Sequence, residues 1–254
     1  MCLIAFHWEP GTSRPLVVAA NRDEFHARPT RALAWWRWPD GPLAGRDEQA
    51  GGTWMAARRD GRVAAVTNFR DPDGESGSRS RGDLPLAWLR SADTAAVFGR
   101  RLYRERAEYG PFNLVFGRVS GERQELWIVG THAEPAAIAP GVHALSNHLL
   151  DTPWPKSIRA VRGMEAWLNR DGADIDGLLD LLDDCEPAPE HELPDTGVGT
   201  ELESLLSAPF VVSDRYGTRS STALLFDTRP TMAERVFDPA GRPVGERVYT
   251  WRPG

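Results

Sequence analysis

Cys2-Leu3-Ile4-Ala5-Phe6-His7-Trp8 and Leu16-Val17-Val18-Ala19-Ala20-Asn21-Arg22-Asp23-Glu24 are the two runs on which the fold of this chain turns. Both are apolar and partly β-branched, and the turn-rich Glu9-Pro10-Gly11-Thr12-Ser13-Arg14-Pro15 separates them, so they read as a hairpin. Apolar residues sit at consecutive rather than alternate positions. A sheet built from such strands needs cover on both faces.

The hairpin brings Cys2 to the polar cluster Asn21-Arg22-Asp23. Cys2 has two readings. It is either a small buried residue of the first strand or a nucleophile. Loss of Met1, which a small second residue permits, would give Cys2 both a thiol and an α-amine of reference pKa about 7.7–8.0. A nucleophile and its base would then share one residue.

Working outward, the chain has 254 residues, 41% hydrophobic and 26% charged, as a globular protein requires. The net charge of −6 gives no electrostatic reason to expect nucleic acid or an anionic membrane as partner. Lys156 is the only lysine, and ten tryptophans include Trp35, Trp36, Trp38 and Trp54 in the first quarter. Cys2 and Cys185 make no disulfide framework and no zinc spacing. The apolar run after Met1 lacks a basic flank, and no stretch approaches the roughly 18 apolar residues of a membrane span. A cytoplasmic protein without metal or cofactor is the expectation.

Gly51 to Ala57 and Val63 to Phe69 read as a second hairpin turning at Asp60-Gly61. Arg70 to Arg81 has loop composition. Helical spacing covers Leu84 to Leu89 and Asp93 to Tyr109, with Asp93 as the expected N-cap. Strands resume at Phe112 to Phe116, Leu126 to Val129 and just before Leu145. Helices are expected over Pro155 to Asn169, Asp174 to Asp184 and Glu201 to Leu206. Three strands close the chain, at Ser221 to Asp227, Ala233 to Asp238 and Glu246 to Trp251. Hairpin connections dominate, which predicts an α+β fold with mostly antiparallel sheets packed on each other and flanked by helices, as a single domain over residues 1–254.

Four polar clusters fall at strand ends: Asn21-Arg22-Asp23-Glu24, Thr67-Asn68-Phe69-Arg70-Asp71, Leu145-Ser146-Asn147-His148 and Tyr216-Gly217-Thr218-Arg219. Together with an N-terminal thiol they supply the parts of an amide-cleaving site. Asp23 would hold the α-amine, and Asn68 and Asn147 would donate to a tetrahedral oxyanion. An arginine would lower the thiol pKa or bind a substrate carboxylate. Because strand neighbours point to opposite faces, only one of Arg22 and Asp23 is expected to face the thiol, and Asp23 is the expected partner. Asn21, Arg22, Trp54 and Phe69 are the expected substrate contacts, in a pocket made apolar by the early tryptophans.

These motifs, with Gly51-Gly52-Thr53-Trp54, Phe112-Asn113-Leu114 and Asp151-Thr152-Pro153-Trp154, closely resemble the NRDE family, also called the transport and Golgi organisation protein two family. The match runs in order along nearly the whole chain. That family is similar to N-terminal nucleophile hydrolases of the choloylglycine hydrolase and penicillin acyltransferase type. The resemblance implies a four-layer αββα sandwich, a nucleophile at Cys2, Arg219 for the electrostatic role and an Arg-Asn-x-Asp motif. Asn21-x-Asp23 keeps that motif's spacing, with its arginine displaced to Arg22. Two functions follow as expectations: an amide hydrolase or acyltransferase acting on a small acylated substrate, or a non-catalytic carrier of haem or acyl-lipid on the same scaffold.

Overall fold

The computed structural model describes residues 2–38, 40–170 and 174–253, with Cys2 described by its backbone alone. The opening hairpin forms as its pattern predicts, giving β1 (Cys2–Trp8) and β2 (Leu16–Phe25). β3 (Thr30–Trp35), β4 (Leu43–Asp47), β5 (Met55–Ala57) and β6 (Arg62–Asn68) follow. β5 and β6 turn at Asp60-Gly61, where Gly61 takes φ +82° and a Cβ would meet the Ser120 hydroxyl at 1.9 Å. Only glycine meets both demands.

α1 (Asp83–Arg90) and α2 (Ala95–Glu105) precede β7 (Phe112–Arg118), β8 (Glu125–Gly130), the two-residue β9 (Ala136–Ala137) and β10 (Gly141–Leu145). α3 (Pro155–Leu168), α4 (Ile175–Leu179) and α5 (Thr200–Leu205) lead to β11 (Tyr216–Phe226), β12 (Thr231–Phe237) and β13 (Pro243–Thr250). One sheet has the order β10-β1-β2-β11-β12-β13; the other runs from β3 to β9 in sequence order. Their pairings are antiparallel throughout.

Ile4, Phe6 and Trp8 of β1, with Val18 and Ala20 of β2, enter the core between the two sheets. Leu3, Ala5, Val17 and Ala19 point the other way, under Ala160 and Met164 of α3 and Leu178 and Leu179 of α4. On the far face of the second sheet, Leu84, Trp88, Phe98 and Leu102 pack against Phe112, Leu114 and Phe116. The layers are therefore helix, sheet, sheet, helix: an α+β, four-layer αββα sandwich. β1 is apolar at every turn of the pleat because both of its faces are covered. Burying side chains such as Phe6 and Trp8, each all but inaccessible, stabilises the fold by about 2–3 kcal/mol apiece.

Two helix ends differ from their sequence reading. Thr94, not Asp93, caps α2 by accepting from the Val97 amide, while the Asp93 carboxylate lies 2.9 Å from the Arg101 guanidinium. α4 stops at Leu179 instead of continuing to Asp184. Asp180, Asp183 and Asp184 place negative charge where a helix C-terminus repels it, and Asp180 turns instead to Arg235 on β12. β4 has no counterpart in the sequence reading, since Gly45 interrupts its short apolar pattern.

Candidate active site

The β1–β2 register decides the geometry of the site. Cys2 is directly opposite Arg22, and Leu3 is opposite Asn21. Opposed residues of an antiparallel pair lie on one face of the sheet. Arg22 therefore shares the inter-sheet face with the row of Cys2, Ile4 and Phe6, and Asp23 lies on the helix-side face with Leu3. Of the two expected neighbours of the thiol, Arg22 rather than Asp23 is paired with position 2. Met1, on whose loss an N-terminal nucleophile depends, and the Cys2 thiol lie outside what is described.

Arg22 is buried at the end of β2 and stacks on Trp54, its guanidinium carbon 4.4 Å from the ring centroid. Its Nη1 donates to Thr30 Oγ1 at 3.3 Å, and its Nη2 is 3.8 Å from a Glu24 carboxylate oxygen. Gly45 makes room for the stack: a Cβ there would come within 2.3 Å of the Trp54 ring. Asp23 is fully buried and accepts from Thr218 Oγ1 at 2.7 Å, the residue paired with it on β11. Burial pushes its carboxyl above the usual range, while the charges of the chain's amino terminus, Lys156 and Arg22, together with the Thr218 hydroxyl, pull it back down.

Asn68 closes β6 with a half-buried amide that makes no hydrogen bond among the described residues. Its carbonyl accepts from Asn147 Nδ2 at 3.0 Å. Asn147 is wholly buried, and its Oδ1 accepts from Ser146 Oγ at 3.2 Å and from Lys156 Nζ at 3.3 Å. The Arg70 amide donates to the Asn147 carbonyl, and Thr67 Oγ1 to the Ser146 carbonyl. These bonds sew the end of the second sheet's β6 to the end of the first sheet's β10. Asn147 is thereby a positioning link behind Asn68 rather than a donor exposed to ligand. Phe69 lies at the rim, its ring between His132 (4.3 Å) and His148 (5.0 Å).

Arg22, Asp23, Trp54, Asn68 and Phe69 all border one cleft of about 370 Å³, which residues of the loop 70–81 also line. The lining is polar; of the early tryptophans only Trp54 reaches it, so the apolar pocket expected from sequence does not form here. Two further expected site residues stand elsewhere. Asn21 faces the helix layer, donating to the Leu182 and Pro209 carbonyls at 2.8 and 3.0 Å and accepting from Ser221 Oγ at 2.6 Å. It is a structural tie, not a substrate contact. Arg219 occupies a bulge between Thr218 and Ser220, and its Nη1 clamps the turn after β2 by donating to the Phe25 and Arg28 carbonyls.

Sequence reading missed Lys156, Thr218 and Glu234. Lys156 is buried on α3 beside Asn147, and being the only lysine among many arginines was its available signal. Glu234 on β12 is buried between the sheets, where its carboxylate accepts from the Leu33 amide at 2.6 Å at the β3 irregularity. Burial pushes its pKa up to about 7, against smaller opposing contributions from the Leu33 amide, the Ser220 hydroxyl, Arg22 and Arg247. Among the described residues no three His, Cys, Asp or Glu side chains converge as metal ligands, and no helix is long and apolar enough to cross a membrane.

Two antiparallel sheets packed between helix layers place the chain in the class of four-layer αββα sandwiches, with position 2 opening its first strand beside an arginine-bearing cleft. Within that class the chain belongs to the Transport and Golgi organisation 2 family, whose model matches residues 1–239. It is 34% identical over 255 residues to the Transport and Golgi organization protein 2 homolog of Bos taurus, covering 89% of each chain. The Drosophila melanogaster Transport and Golgi organization protein 2 is 25% identical over 255 residues, covering 91% of this chain and 90% of its own. Among solved structures, a variant of the conjugated bile acid hydrolase of Clostridium perfringens is similar at TM-score 0.48 and 8% identity, over 98% of this chain and 96% of that one. The Caenorhabditis elegans ortholog of N-acylethanolamine-hydrolyzing acid amidase has a TM-score of 0.44 at 10% identity, over 87% and 92%.

Proposed function

We propose that the protein is an amide hydrolase or acyltransferase that uses Cys2, freed by loss of Met1, as its nucleophile on a small acylated substrate. The observation that carries this reading is the register: Cys2 is paired with Arg22 at the end of β2, and Arg22 and Asp23 both border the cleft. The α-amine takes the thiol proton, the sulfur bonds the carbonyl carbon, and the C–N bond breaks as the departing amine leaves with that proton. Water, or an acceptor amine, then attacks the thioester, the C–S bond breaks and the sulfur regains a proton. Asp23 orients the α-amine. The uncommitted amide of Asn68 donates to the oxyanion, a contribution of about 3–4 kcal/mol for a preorganised donor, and Asn147 holds the Asn68 backbone in place.

The carrier alternative, for haem or acyl-lipid, finds less support. Its ligands are large and apolar, whereas the cleft has a polar lining, the apolar gap beside Ile4, Phe6 and Leu224 amounts to about 30 Å³, and the larger groove of about 750 Å³ beside Val198, Leu202 and Leu205 shares no lining residue with the cleft. Intact-mass analysis with iodoacetamide labelling tests the proposal. Loss of Met1 and labelling of Cys2 well below pH 8 are expected; active protein that retains Met1 would refute the mechanism.

A further inference from the structure

We infer that the substrate of this cleft carries a carboxylate, and that Arg22 binds it. The inference rests on the hydrolase reading for its scissile bond, but its own content is a binding site.

A guanidinium has five N–H donors and does not shed its proton. Buried charge is costly unless paired and hydrogen-bonded. Arg22 is only 5% exposed, yet among the described residues it makes a single hydrogen bond, the long one to Thr30. The Glu24 oxygen at 3.8 Å lies beyond hydrogen-bonding distance. Trp54 takes one flat face of the guanidinium, which fixes its plane and leaves edge donors for a ligand in the cleft.

The other arginines bordering the cleft are committed. Arg28 grips Asp47 at 2.7 and 2.8 Å, Arg79 is 3.0 Å from Glu108, and Arg81 donates to the Pro111 carbonyl at 3.1 Å. Among the arginines bordering the cleft, Arg22 is therefore the one with bonding capacity to spare. Its fork matches the two oxygens of a carboxylate. Besides the buried Asp23, the carboxylates of Glu24, Asp47, Asp71 and Glu75 border the cleft with Arg22, Arg28, Arg79 and Arg81, so the local charge is balanced, which favours a singly charged planar anion over a phosphate.

Position fixes a second property. Arg22 and Cys2 are directly opposed on neighbouring strands, with Cα atoms about 4.5–5.5 Å apart in such pairs. A ligand engaging both must carry its carboxylate close to the scissile amide, as in an N-acylated amino acid.

Titration calorimetry with N-acetylglycine, its methyl ester, acetate and inorganic phosphate tests the inference on wild-type protein and on Cys2→Ala. The acid is expected to bind about tenfold or more tightly than the ester, the size of a charge-assisted hydrogen-bond pair. Cys2→Ala should keep that preference, Arg22→Lys should keep part of it and Arg22→Gln should lose it. Should Arg22→Gln not fold, the acid–ester ratio in wild type and Arg22→Lys decides. Equal affinity for acid and ester, no binding of either, or displacement of the acid by phosphate more readily than by acetate would each overturn the inference. Tight binding of the acid without turnover would instead count against the hydrolase reading alone.

Discussion

Asn21 and Arg22 are neighbours in sequence and almost equally buried, at 1% and 5% exposure, but they end in opposite conditions. The Asn21 amide donates to two carbonyls and accepts from Ser221, which ties β2 to the helix layer and to β11. Arg22 makes one long hydrogen bond, has a Glu24 oxygen 3.8 Å away and otherwise rests on an indole. The same contrast separates Asn147, bonded on both ends of its amide, from Asn68, whose amide is open to the cleft. Buried polar groups that hold a fold together are saturated with partners. Those kept for a ligand are not, and they cost the free protein stability that the ligand restores.

The sharpest way to break the comparison is at Asn21. Asn21→Leu removes the partners of two buried carbonyls and one hydroxyl, each costing about 1–3 kcal/mol when stranded. A loss near 4 kcal/mol is expected in urea unfolding, whereas Arg22→Gln should cost at most about 1 kcal/mol. A larger stability loss at Arg22 than at Asn21 would reverse the assignment of roles.

For the second pair, Asn68→Ala should lower kcat about 100-fold or more, as loss of an oxyanion donor does, with unfolding little changed. Asn147→Ala should show mainly in stability, at about 2 kcal/mol. Equal kinetic defects in the two variants would show that both side chains reach the reacting carbonyl.

Glu234 sharpens the contrast through pH. Its folded pKa, about 7, stands above the ordinary 4.5, so the folded state holds its proton where the unfolded state has released it. The stabilisation is complete below pH 4.5 and declines as pH rises to about 7, by roughly 3 kcal/mol in all. Glu234→Gln should flatten that part of the stability–pH curve, followed by chemical unfolding between pH 4.5 and 8. An unchanged slope would place the titration elsewhere.

The smallest effect is expected at Arg219. Arg219→Met should release the Phe25 and Arg28 carbonyls for about 1 kcal/mol and leave the preference for a carboxylate intact. Loss of that preference would return Arg219 to the site.

The elements were legible because their signals are local. The Asp60-Gly61 turn, the apolar face of α3 and the proline at its start act within a few residues. α4 ends earlier than its local pattern predicts because what stops it includes a contact from Asp180 to Arg235, 55 positions away. Among the site residues, Trp54, Asn68 and Phe69 were readable as an ordered motif and do border the cleft. Asn21 and Arg219 carried the same motif signal and are spent on structure, since a motif marks that a residue matters without saying what it bonds. Lys156 and Glu234 belong to no cluster in sequence and reach the site's neighbourhood only through packing.

The sequence by itself determined that strands and helices alternate in blocks, that both faces of the first hairpin are covered, and that Arg22 and Asp23 must point to opposite sides of it. All of this follows from the pleat and from apolar patterning, which need no partner strand. Which side holds the cleft was decided by tertiary structure. A strand apolar on both faces carries no mark to tell them apart; only the pairing of Cys2 with Arg22, and the docking of the second sheet with Trp54 upon that face, put the arginine between the sheets and the aspartate on the helix side.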